Sequence, residues 1–171
     1  MNIEIKPVTN EEHSAIHKVY HECADFISLG PDSRVSVDMA VADIEEAKAE
    51  SGIFCGIYYG KTMIGVVSFV PSRFEFRPVD AFILLLMIIP SYRRRGIGRE
   101  VVKRVEEEIR ARGRIRSIIC GVQVNNPGAI KFWEKQDYVI FAGPEKRQDG
   151  TTVYRMRKDI ERGKAKTGAR P

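Results

Sequence analysis

At 171 residues the chain fits a single domain with a full core, and its 43% hydrophobic and 30% charged residues are the proportions of a water-soluble globular protein. Met1-Asn2-Ile3-Glu4-Ile5-Lys6 carries charge where a signal peptide needs an apolar stretch. The longest apolar run, Ala81 to Ile89, is far short of the roughly 20 residues that span a bilayer, so the expectation is a cytoplasmic protein with no targeting segment and no membrane partner. Of the net charge of +5, Arg162, Lys164, Lys166 and Arg170 against Glu161 leave +3 on residues 161–171, a basic tail read as disordered; without interleaved aromatics or a recognition helix, nucleic acid is not an expected partner.

Residues 1–160 read as one domain. Ile3 to Val8 alternates like an edge strand, and Thr9 or Asn10 caps a helix whose Ile16, Val19, Tyr20, Cys23 and Ile27 share one face. Gly30-Pro31-Asp32 breaks it, and a second helix is predicted from Ser36 to Glu50. Ile53 to Tyr59 and Thr62 to Val70 are strands joined tightly at Gly60-Lys61. Pro71 to Pro78 is a loop with two aromatics, Phe74 and Phe76, which suit a homodimer surface or a substrate lid. Ala81 to Ile89 is apolar without alternation, as in a strand buried on both faces.

A helix follows from about Gly96 to Arg112, with Ile97, Val101, Val105 and Ile109 inward. Glu100–Arg104, Glu106–Arg110 and Glu108–Arg112 are expected as ion pairs on its outer side. Ser117 to Val124 is a strand and Pro127 to Gln136 a helix; Tyr138 to Phe141 and Thr151 to Arg157 are the last strands, around a loop from Gly143 to Gly150. This order makes a mixed α/β sheet, not a regular βαβ alternation.

Chemistry is suggested first by Ile88-Ile89-Pro90-Ser91-Tyr92-Arg93-Arg94-Arg95-Gly96-Ile97-Gly98. A buried strand ends at a proline, and a basic, glycine-containing turn opens an amphipathic helix. The first amides of a helix lack intrahelical partners and carry the positive end of its dipole, which makes an anion site. Gly96 and Gly98 leave the backbone open to a phosphate, and Arg93, Arg94, Arg95 and Arg99 surround the turn. No Gly-Lys-Ser/Thr follows, so a Walker-type loop is excluded, and the dinucleotide glycine pattern is also absent. The second element is Asn126-Pro127-Gly128-Ala129-Ile130-Lys131-Phe132-Trp133, where Asn126 is an N-cap, Pro127 the first helical residue, and Ala129, Phe132 and Trp133 the packed face.

Taken together, the strand Leu84 to Ile89, Arg93-x-x-Gly96-x-Gly98 and Asn126-x-x-Ala129-x-x-Phe132-Trp133 resemble the GNAT superfamily of acyl-CoA-dependent N-acetyltransferases. The resemblance implies a mixed, mostly antiparallel sheet of six to seven strands, flanked by four helices and splayed at its centre. It also implies an enzyme that moves the acetyl group of acetyl-CoA onto a small-molecule or peptide amine by direct attack, with no metal. In that frame backbone groups near Met87 and Ile88 pair with the pantetheine arm, and a strand amide at Met87 or Ile88 polarises the thioester carbonyl. Amides of Arg94, Arg95, Gly96, Ile97, Gly98 and Arg99 hold the pyrophosphate, with Arg93 nearby. Asn126 bonds the pantetheine or the local backbone, and Trp133 lines the thiol end.

Trp133 stands where many members carry a tyrosine that protonates the departing thiolate, which an indole cannot do. A thiol of pKa about 8.5 leaves at pH 7 at a disadvantage of roughly 2 kcal/mol, whereas deprotonating an ammonium of pKa about 10.4 costs nearly 5 kcal/mol. A general base therefore matters more than an acid. Glu75 and Asp80, flanking the start of the buried strand, are the candidate bases; Glu22 and Asp25 on the first helix are also considered. His13, His17 and His21 recur every fourth residue beside the apolar stripe, without a carboxylate to complete a metal site. Cys23, Cys55 and Cys120 are expected reduced and in the core, with no partner to activate one as a nucleophile. Two other readings stay open: an acetyltransferase acting on protein N-termini or lysines, and a non-catalytic acyl-CoA-binding sensor.

Overall fold

The computed structural model describes residues 2–31, 34–73 and 80–160. Glu75, the aromatics Phe74 and Phe76, and the tail 161–171 lie outside the described residues. The chain runs β1 (Ile3–Pro7), α1 (His13–Glu22), α2 (Ala24–Ile27), α3 (Val37–Ala49), β2 (Ile53–Tyr59), β3 (Thr62–Val70), β4 (Asp80–Ile88), α4 (Ile97–Arg112), β5 (Ser117–Gln123), α5 (Pro127–Glu134), β6 (Val139–Lys146) and β7 (Thr152–Asp159). The strands form one seven-stranded sheet in the order β1-β2-β3-β4-β5-β7-β6, antiparallel except where β4 meets β5. This is the mixed, mostly antiparallel architecture expected.

The predicted first helix is two pieces. Its start is fixed by a short 3-10 turn in which the Thr9 amide donates to the Glu12 carboxylate at 2.7 Å. At Cys23 the backbone leaves helical geometry (φ −94°, ψ 23°), which separates α1 from α2. Ile16, Val19, Tyr20 and Cys23 are nevertheless buried together, so the stripe holds across the break. β2 and β3 have the predicted limits, and Gly60 takes the positive φ (+59°) that turns one into the other.

Two expectations change. Glu106 is not on the outer side of α4: it is 4% exposed, and its carboxylate accepts from the Tyr138 hydroxyl at 3.2 Å and from Lys158 Nζ at 3.0 Å. Helical spacing put it beside Arg110, which does pair with it at 3.2 Å, but Tyr138 and β7 fold over that flank. β6 also runs beyond its predicted end, to Lys146. Gly143 (φ +99°) marks an irregularity within the strand, not a loop; a side chain there would meet the Val153 carbonyl at 2.7 Å.

Within the core α1 packs on β3, and α3 on β2 and β3. α4 and α5 lie against each other where Phe132 fills the space above Gly98. Arg104 of α4 donates to the Ile3 carbonyl at 2.6 Å, tying the helix to the sheet's first strand. Among the described residues no helix is long and apolar enough to cross a membrane, and no group of three potential metal ligands occurs.

Candidate active site

β4 and β5 pair in parallel from Asp80–Ser117 to Ile83–Cys120 and no further, although β4 continues to Ile88 and β5 to Gln123. The divergence has a local cause. Ser68 opposes Leu85 and Phe69 opposes Ile83, so Leu84 is an extra residue in β4. A bulge of this kind bends its strand and increases the twist. Past Leu84 the strand stays on β3 and leaves β5, opening a wedge with one hydrogen-bonding edge of β4 facing into it.

Register decides which amides face the wedge. The Ile89 amide donates to the Ile64 carbonyl at 3.0 Å, and direction repeats every second residue along an antiparallel pair. Met87, opposite Val66, therefore turns its N–H and C=O toward β3, while Leu86 and Ile88 turn theirs toward the wedge. The Ile88 carbonyl indeed accepts from Arg93 Nε at 2.6 Å, away from β3. Of the two expected oxyanion amides this corrects Met87, whose N–H is directed into the sheet ladder, and leaves Ile88; the N–H groups directed into the wedge are those of Leu86 and Ile88.

The turn after β4 gathers backbone amides beside three exposed arginines. Pro90–Tyr92 form a 3-10 turn, Arg93 is extended, and Arg94 (φ +62°) and Gly96 (φ +79°) both take left-handed geometry before α4 begins. Such reversals point successive N–H groups into one concavity. Arg94, Arg95, Gly96 and Arg99 are exposed around it, whereas Ile97 is buried under the helix. Gly98 also has a packing role. A Cβ there would lie 3.0 Å from the Phe132 ring, so this glycine lets α5 approach α4.

Arg93 is turned away from the anion turn. Besides the Ile88 carbonyl, its guanidinium grips both carboxylate oxygens of Asp25 in α2, Nη1 to Oδ2 and Nη2 to Oδ1 at 3.0 Å. The guanidinium holds the Asp25 carboxyl below the usual carboxylate range, which makes Asp25 a weaker base. Cys23 lies against the same guanidinium, yet burial pushes its thiol up; burial likewise lifts Cys55 to about 11 and raises Cys120.

Asn126 caps α5, its Oδ1 accepting the Ala129 amide at 3.0 Å, with Pro127 following. Trp133 is 7% exposed and packs edge-on against Tyr138 at 4.8 Å and Phe132 at 5.3 Å, a core position as much as a lining one. Asp80 is corrected as a base. It sits on the first rung of the paired end, buried, with the Ser117 hydroxyl donating to it at 2.7 Å. At about 3.3 Å per residue it is roughly 20 Å along the strand from Leu86.

The α2–α3 connection and α3 are tied to the segments that follow β5 and join β6 to β7. Asn125 Nδ2 donates to the Leu29 carbonyl at 3.0 Å, Arg147 pairs with Glu46 at 3.7 Å, and a Cβ on Gly150 would touch Pro31 at 3.6 Å. No sequence signal marked these ties, or the Arg93–Asp25 fork, since each joins residues distant along the chain.

Residues 14–138 match the family described as Acetyltransferase (GNAT) family. No curated protein matches the sequence. Among similar solved structures is an acetyltransferase from Thermus thermophilus, 19% identical with a TM-score of 0.76, covering 94% of this chain and 98% of the other. A PaiA N-acetyltransferase from Thermoplasma acidophilum, in complex with coenzyme A, is 19% identical with a TM-score of 0.66 over 94% of this chain and 100% of its own. The YncA protein of Salmonella typhimurium, a structure with acetyl-CoA, is 17% identical with a TM-score of 0.67 over 98% and 99%. At such identities these likenesses establish the fold.

Proposed function

The chain belongs to the acetyltransferase (GNAT) family, and from that membership we propose that it moves the acetyl group of acetyl-CoA onto a small primary amine by direct attack in a ternary complex. The observation that carries this is the parting of β4 from β5 after Ile83, beside a glycine-marked helix start. An extended pantetheine arm fits the exposed edge of β4 as an added strand, bonded to Leu86 and Ile88. The pyrophosphate fits the amides from Arg94 through Arg99, with the Arg94, Arg95 and Arg99 side chains as countercharge. Asn126 and Trp133 belong to the helix beyond the thiol.

Two amides directed into the wedge suit the negative charge that develops on the thioester oxygen when the amine adds. The nitrogen then loses a proton, the carbon–sulfur bond breaks, and coenzyme A leaves as a thiol. Three thiols whose pKa values are all raised argue against an acetyl-cysteine intermediate. Glu75 is our candidate for the base. The ties of the α2–α3 connection to Asn125 and Gly150, and of α3 to Arg147, are our reason for preferring a small acceptor over a protein.

The test is thiol release from acetyl-CoA across polyamines, amino acids, aminoglycosides and short peptides. Saturable release with a small amine is expected. Release with peptides alone would move the acceptor to a protein, and coenzyme A binding without any turnover would leave a sensor module.

A further inference from the structure

We infer that Arg93 is a positioning residue, braced by Asp25, which holds the Ile88 peptide at the wedge and does not bind the cofactor's phosphates; this rests on the acetyl-transfer reading above. Where β5 departs, the inward edge of β4 loses the ladder partner that would fix its peptide groups. Arg93 Nε takes that place at one carbonyl, 2.6 Å from Ile88 O. Its two Nη atoms form a two-point fork with Asp25, a geometry that fixes direction as well as distance. Within a residue the N–H and C=O point to the same edge of a strand, so holding the Ile88 carbonyl also aims the Ile88 amide into the wedge.

The fork has a second consequence. Asp25 stands in α2, 68 residues before Arg93, in the helical segment that leads into the α2–α3 connection. The brace thus joins that segment to the strand that holds the thioester. All three guanidinium nitrogens already have protein acceptors, whereas Arg94, Arg95 and Arg99 stand exposed at the anion turn.

The experiment uses the full chain with Asp25→Asn, Arg93→Gln, Arg93→Lys and the Asp25→Asn/Arg93→Gln double variant. Coenzyme A affinity is measured by calorimetry, and kcat and KM with the amine found in the screen. A brace predicts that kcat falls by about 10²-fold in Asp25→Asn and Arg93→Gln, the scale of a misplaced reacting group. Coenzyme A affinity should stay within about threefold of the parent, and the double variant should be no worse than Arg93→Gln, since both remove one linkage. Arg93→Lys should resemble Arg93→Gln, because an ammonium cannot hold the fork and the carbonyl together.

A nitrogen-15 spectrum of the arginine Nε–H groups gives a readout independent of turnover. The Arg93 signal should be shifted or lost in Asp25→Asn, with or without coenzyme A. Weakened coenzyme A binding in Arg93→Gln beside a fully active Asp25→Asn, or an Arg93 signal that is the same in Asp25→Asn as in the parent, overturns the proposal. If the parent acetylates no amine, the acetyl-transfer reading fails while the spectrum still decides whether the brace exists.

Discussion

Replacing Gly96 with valine perturbs the proposed phosphate site at one atom position. Gly96 stands at φ +79°, ψ −1° as the residue before α4, and its carbonyl accepts the Glu100 amide at 3.1 Å. A side chain forced into left-handed geometry costs about 1–3 kcal/mol. In a chain of this size each kcal/mol lowers Tm by roughly 2–4 °C, so the unliganded Gly96→Val protein should melt about 2–12 °C below the parent. Coenzyme A at a hundred times its Kd stabilises the parent by about 2.7 kcal/mol, a rise of roughly 5–11 °C. A valine side chain at the turn blocks the close approach of phosphate to backbone amides. If affinity falls a hundredfold, the same ligand concentration contributes RT ln 2, about 0.4 kcal/mol or roughly 1 °C. Gly60→Val is the control: Gly60 shares the positive φ (+59°) with nothing within 4 Å of its would-be Cβ, so its baseline should drop while the ligand shift survives. Thermal melts with and without coenzyme A read both quantities. A full ligand shift in Gly96→Val would refute the phosphate assignment.

Removing the buried charge of Glu106 by Glu106→Gln leaves Lys158, 21% exposed at its side chain, without its anion. Breaking a buried pair costs about 3–5 kcal/mol, and partial exposure of Lys158 should bring this to about 2–4 kcal/mol in urea unfolding. The double variant Glu106→Gln/Lys158→Met should recover part of the loss; additive losses would mean that the two groups are not coupled. Asp43 accepts from the Tyr20 hydroxyl, and burial pushes its carboxyl up to about 6, above the ordinary 3.8. The unfolded chain then ionises Asp43 first as pH rises, so this group's contribution to stability is whole below about pH 4 and lost as pH climbs through 6. Asp43→Asn, which does not titrate, should gain on the parent across that window by on the order of 2–3 kcal/mol in urea midpoints at pH 4 and pH 7, and a gain in the opposite direction would show the carboxylate to be stabilised by its site.

Much of the frame was legible locally. β2 and β3 matched their predicted limits because apolar, β-branched runs on either side of Gly60-Lys61 are signals carried by neighbouring residues. The inward stripe Ile97, Val101, Val105 and Ile109 is buried as helical spacing requires, and Asn126 caps α5 through the Ala129 amide. A glycine's role is not legible where conformation and packing look alike in sequence: Gly143 interrupts a strand instead of opening a loop, and Gly98, read for the phosphate, also makes room for Phe132.

Residue order alone determined the strand–helix succession, the apolar faces and the arginine–glycine turn, because each depends on interactions within a few residues. Only tertiary structure decided that β4 parts from β5 at the extra residue Leu84, and that Leu86 and Ile88, not Met87, face the opening. It also put Asp80 at the paired end and Arg93 against Asp25. Amide direction is set by cross-strand register, and a side chain's partner by which distant segment folds over it; neither is a property of a local stretch of chain.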